Sequence, residues 1–123
     1  VDETRHFPGG EVRQAFDTGV PLLEHEAYKI HAGRREAGGL VEVHAHETDI
    51  FHMLEGSATL VTGGTVVYGR TVAPGEIRGD AIENGTMRKL VAGDVIIIPR
   101  GTPHWFKSVE EAPALYFVVK VVD

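Results

Sequence analysis

The chain has 123 residues, a formal net charge of −6, seven histidines and no cysteine. That balance argues against nucleic acid and anionic membrane as partners, because both need a basic face. No apolar run approaches the roughly 18 residues of a membrane span, and any bound metal must use nitrogen and oxygen donors. No signal-peptide pattern is visible. Position 1 is Val, so removal of an export signal stays open and the compartment is unassigned.

The length predicts one domain over residues 1–123, with 1–25 as an N-terminal arm. Glu11 to Phe16 is the one segment with helical character, and it is too short to matter. Strands are predicted at Ala27–Ala32, Leu40–His46, Ile50–Leu54, Ala58–Thr62 and Thr65–Tyr68. Two more follow at Val95–Ile98 and Leu115–Val122. Gly63-Gly64 reads as a two-residue hairpin turn between its flanking strands, and Asn84-Gly85 as a less regular one. Val95-Ile-Ile-Ile98 reads as a strand buried on both faces. The fold class is all-β, an antiparallel sandwich or closed barrel.

Within this pattern His44-Ala-His46 is the main functional signal. Side chains two apart on a strand share a face, so both imidazoles can converge on one metal ion, and His104 can supply a third from a distant strand. Glu42 shares that face. Val41 and Val43 then form an apolar outer row, which a second layer or another subunit must cover. Phe51 and Met53 share the face of Asp49, while His52 points away. Asp49 reads equally well as a ligand or as a strand-end turn residue.

These residues carry a family resemblance. Gly38, five residues, His44-Ala-His46, two residues, Asp49, six residues and Gly56 follow the first motif of the cupin superfamily. Gly93, five residues, Pro99-Arg-Gly101, two residues, His104, three residues and Ser108 follow the second. The chain thus resembles a small cupin across 38–56 and 93–108, with 57–92 between the motifs. The resemblance implies a double-stranded β-helix, or jelly-roll barrel, and His44, His46, Asp49 and His104 as metal ligands. Two features depart from the pattern: Asp49 stands where the motif has Glu, after a gap one residue shorter, and Ser108 stands for Asn. The inter-motif surplus, 69–86, is expected to form a loop or hairpin near the barrel mouth.

The expected cofactor is one divalent transition metal, with Fe, Mn, Ni and Zn all compatible with these donors. Glu42 is a candidate base or an acceptor that orients an imidazole, and Phe51, Met53 and Phe106 are candidate pocket wall. His6, His25 and His31 read as surface residues, and Glu76 and Arg78 as solvated charges. The sequence-level function is a metal-dependent oxygenase, isomerase or lyase acting on a small organic acid, dicarbonyl or phenolic compound. A noncatalytic small-molecule binding or sensing module and a metal-free structural dimer are the alternatives. A homodimer is expected, with Val41, Val43 and Leu115–Val122 as its apolar material.

Overall fold

The computed structural model describes residues 3–123. It begins with a helix, α1 (Gly9–Thr18), followed by β1 (Pro21–Glu24), β2 (Tyr28–Arg35), β3 (Val41–His44) and β4 (Glu47–Thr62). Then come β5 (Thr65–Val67), β6 (Arg70–Ala73), β7 (Glu76–Gly79), β8 (Ala81–Glu83) and β9 (Thr86–Val91). The chain closes with β10 (Val95–Ile98) and β11 (His104–Val122). The predicted all-β jelly-roll is therefore the observed architecture.

The spine is the antiparallel pair β4–β11, which runs from His104↔Thr62 to Val122↔Glu47 with register shifts between Phe106 and Tyr116. The two strands expected at Ile50–Leu54 and Ala58–Thr62 are one continuous strand. On its other edge β4 pairs with β10 through residues 49–52 and with β9 through residues 57–62. The second half of β11 also pairs with β2, and β3 carries β7 and β6 outward. Inward side chains form the core, among them Phe51, Met53, Leu60, Phe106, Tyr116 and Val118.

The glycine pairs do not close hairpins between their immediate neighbours. β5 pairs with β8, and β4 pairs with β9. Thr62↔Thr86 and Thr65↔Glu83 lie three residues apart along both strands. The two ladders are thus one ribbon bent between these positions, with Gly63-Gly64 on one strand and Asn84-Gly85 opposite. Gly64 has φ +74°, and a Cβ there would lie 2.4 Å from the Glu83 carbonyl oxygen. Only glycine fits this corner. The bend folds β5 and β8 back so that Ile82 and Val66 cover Val41 and Val61. The cover required by the outer valine row therefore comes from the chain's own inter-motif segment, and Val41 is no longer available to a partner subunit.

Helix α1 is longer than expected and it matters. Its Ala15 and Phe16 bury against Ala32, with Leu54, Leu115 and Phe117 packed around them. The rings of Phe16 and Phe117 meet edge-on at 5.1 Å between centroids. The helix thus seals the outer face of β2, β11 and β4, and Leu115 is also spent inside the chain. In contrast, β10 is not buried on both faces. Among the described residues it pairs with β4 alone, and Val95 and Ile97 are 61% and 62% exposed. An all-apolar run is compatible with an edge strand as well as with a central one, and periodicity does not separate them.

Candidate metal centre

Three strands deliver the central cluster. His44 ends β3, Asp49 lies near the start of β4, and His104 opens β11. All three are buried. Their donor atoms all lie within 4.8 Å of one another. Asp49 Oδ2 stands 3.6 Å from the Nε2 atoms of both His44 and His104.

The other ring nitrogens fix which lone pairs are free. His44 Nδ1 lies 2.7 Å from Glu76 Oε1, and His104 Nδ1 lies 3.2 Å from the Thr102 carbonyl oxygen. A carboxylate and a carbonyl can only accept, so each Nδ1–H must donate. In the neutral rings both Nε2 lone pairs then face Asp49. This is the outer-shell arrangement that orients imidazole ligands in metal sites. Burial holds the His104 pKa below the ordinary histidine range, and the neighbouring His44 acts in the same direction. The Thr102 carbonyl, Asp49 and Glu42 pull in the other direction.

His46 is placed elsewhere. β3 stops at His44, and Ala45-His46 forms the turn into β4, where Ala45 N–H donates to the Gly75 carbonyl at 2.8 Å. Strand parity therefore does not hold across residues 44–46. His46 is exposed and lies outside the His44–Asp49–His104 cluster. The shortened gap before Asp49 fits this tight turn. Glu42 is beside the cluster, with Oε1 3.9 Å from His44 Nε2. Its carboxylate is held by Arg35 at 3.3 Å and Arg78 at 3.5 Å.

A cavity of about 320 Å³ opens onto the cluster, lined by Arg35, Glu42, Phe51, Phe106, Tyr116 and Lys120 with the triad. Phe51 and Phe106 are thus wall residues, whereas Met53 is fully enclosed in the core. A larger cleft of about 840 Å³ lies between β9 and β10 and contains no histidine.

Several neighbours were not singled out from the sequence as site residues. Glu76 is the register partner of His44 on β7, and Arg78 bonds Glu76 at 3.2 Å, so neither is a freely solvated charge. Lys120 Nζ lies 2.8 Å from Asp49 Oδ1. His31 is half-buried and lines the cavity, so it is not a plain surface residue. Burial lowers its pKa, and Glu24 Oε1 at 3.4 Å is outside hydrogen-bonding geometry. Glu47 sits 2.6 Å from Lys29. Burial pushes the Glu47 carboxyl up, but the Lys29 hydrogen bond and the charges of Lys120 and Lys29 bring it below its usual value. These residues are spread over 91 positions, from Lys29 to Lys120, and no local motif marks them.

A family model described as Cupin matches residues 2–122. No curated protein matches the chain. Among solved structures, a Klebsiella pneumoniae protein with a double-stranded β-helix domain shares 21% identity at a TM-score of 0.64. That match covers 98% of this chain and 91% of the other. A Bacillus halodurans protein superposes at TM-score 0.66 with 16% identity, covering 93% of this chain and 76% of its own. Hydroquinone 1,2-dioxygenase from Sphingomonas sp. TTNP3, solved with 4-hydroxybenzoate bound, gives TM-score 0.63 at 18% identity. It covers 100% of this chain and 81% of that one. At such identities the structures share the fold.

Proposed function

This chain belongs to the cupin family, and we propose that it is a metal-dependent enzyme acting on a small organic acid, dicarbonyl or phenolic compound. The observation that carries this reading is the convergence of two oriented Nε2 lone pairs and one buried carboxylate within 4.8 Å. Two imidazoles and a carboxylate fit a divalent transition metal with coordination positions left open. Fe, Mn, Ni and Zn all suit these donors. His44, Asp49 and His104 would hold it. His46, which the family motif implies as a fourth ligand, is outside this set because the turn carries it to the surface.

An ion held there supplies Lewis acidity to an oxygen of the substrate. The residues of the chain do the rest. Glu76 and the Thr102 carbonyl keep both imidazole Nε2 atoms turned toward Asp49. Phe51 and Phe106 exclude water from one wall, which strengthens polar interactions in the cavity. Glu42, held by two guanidinium groups beside His44, is placed to take or return a substrate proton. The dioxygenase neighbour is consistent with oxygen chemistry, and isomerase and lyase chemistry fit the same site equally.

One observation favours a second reading, a noncatalytic binding module. Lys120 already gives the buried Asp49 carboxylate an ionic partner without any metal. Turnover separates the two. Protein loaded with each metal is assayed for oxygen uptake and product formation across hydroxy acids, dicarbonyls and phenols. Metal-dependent turnover is the expected result, and no turnover in the whole panel, with or without bound metal, would favour the binding module.

A homodimer belongs to the same reading. With Val41 and Leu115 covered, exposed Val95 and Ile97 on the β10 edge offer apolar material for pairing with a second copy, and Met87, Val91 and Val121 are exposed as well. A mass measurement in solution tests it, with a dimer expected and a monomer contradicting it.

A further inference from the structure

The inner face of β2 reads Lys29, His31, Gly33, Arg35, and the residues of this face line the two cavities around the cluster. In a chain of net charge −6, this is a basic wall. Its charges meet the carboxylates of the opposite wall: Lys29 faces Glu47, Arg35 faces Glu42, and Lys120 on β11 faces Asp49. The cavity wall is therefore balanced before any ligand enters. Two positive charges brought by a divalent ion would leave it in excess of cation, which an anionic ligand would offset.

Arg35 is the member of this wall prepared to receive such a ligand. Its Nε–H donates to the Tyr116 hydroxyl at 3.1 Å and Nη2 donates to Glu42 at 3.3 Å. Its guanidinium lies over the Phe106 ring, 4.8 Å from the centroid. A guanidinium carries five N–H donors, so three remain after these two bonds, on a group already fixed in orientation. Burial keeps the Tyr116 phenol neutral well into the alkaline range, leaving its oxygen as an acceptor. The cavity beside Arg35 is backed by buried aromatic rings. Phe51 stacks on Phe106 at 5.7 Å with planes 10° apart, and Tyr116 lies 5.2 Å from both. Gly33 makes this possible, because a Cβ there would lie 2.5 Å from the Tyr116 ring. Glu42 sets the scale: one carboxylate reaches from His44 Nε2 at 3.9 Å to Arg35 Nη2 at 3.3 Å. Arg35 and the triad are thus a short molecule's length apart.

We infer that the cavity selects a small organic carboxylate, with the carboxylate on Arg35 and the rest of the molecule in the space between Arg35 and the triad. This deepens the reading of the same cavity as a substrate site, and narrows its three substrate classes to one. Phenols and dicarbonyls without a carboxylate lack the group that Arg35 recognises. The volume of about 320 Å³ lies at the lower end for ligand pockets and suits a molecule of one ring.

The probe is benzoate, with benzamide as its neutral counterpart of the same shape. Affinities are measured by calorimetry or NMR titration on the full chain, both metal-free and metal-loaded. Benzoate is expected to bind at least tenfold more tightly than benzamide. Arg35→Gln should remove that preference. Arg70→Gln, outside this cavity where the side chain pairs with Asp80, should retain it. If Arg35→Gln does not fold, Arg35→Lys, which keeps the charge and loses the fork, should reduce the preference at least threefold. Equal affinities, a preference that survives both Arg35 variants, or no benzoate binding in either form overturns the inference. Metal content of the same samples is read separately. Failure to take up metal defeats the metal-dependent reading, while the benzoate preference still stands or falls alone.

Discussion

Lys120 and Asp49 face each other as register partners across β11 and β4, with Nζ 2.8 Å from Oδ1. Asp49 is 2% exposed, so in the metal-free protein Lys120 supplies the charge that a buried carboxylate needs. Its grip on Oδ1 leaves Oδ2 toward the two imidazoles.

Replacing Lys120 by Met should therefore leave an uncompensated buried charge. Removing one partner of such a pair costs about 3–5 kcal/mol, and denaturant unfolding of metal-free protein should register a loss of that order. Added metal should recover more stability in Lys120→Met than in the wild type, because the ion then becomes the main partner of Asp49. Equal unfolding midpoints for the two proteins would show that Lys120 does not neutralise this carboxylate.

Glu76 acts on the site through His44. Loss of an outer-shell carboxylate typically weakens metal affinity 10–100-fold, and Glu76→Ala should fall in that range in a competition titration with a chelator. Glu76→Gln retains an oxygen acceptor for the Nδ1–H and should lose less. If both variants bind metal like the wild type, the orientation of His44 is set by packing alone.

Acid should weaken the metal-free fold in a definite direction. Burial lowers the pKa of His31 from 6.5, so the unfolded chain takes up its proton at a higher pH than the folded chain does. Its contribution to stability is complete above about pH 6.5 and is lost as the pH falls toward the folded value. The shift of His104 has the same sign. Unfolding free energy measured from pH 8 to pH 5 should decline, and His31→Gln should flatten that decline. An unchanged slope in the variant would remove His31 as a contributor.

The barrel was legible because its signals are local: apolar alternation, glycine-marked turns and two motifs at fixed spacing. His44, Asp49 and His104 belong to those motifs, and the structure brings them together. Other features depend on what the chain meets after folding. His46 leaves the strand because a tight turn begins one residue after His44. Glu76, Arg78 and Lys120 reach the cluster through cross-strand register, which no spacing in the sequence encodes. Val41 is covered by a ribbon that turns back at Gly64, and the role of α1 depends on the sheet face beneath Phe16. Arg35 was hidden for the same reason, since only the pairing of β2 with β11 puts it beside Tyr116.

The proposal that His44, Asp49 and His104 hold a divalent metal is tested most directly by measuring metal bound per chain, by elemental analysis after dialysis against each candidate ion. The account predicts about one ion per chain in the wild type and in His46→Ala, and loss of that ion in His44→Ala, Asp49→Ala and His104→Ala. A wild-type chain that retains no ion, or an ion lost from His46→Ala but kept by His104→Ala, would contradict it.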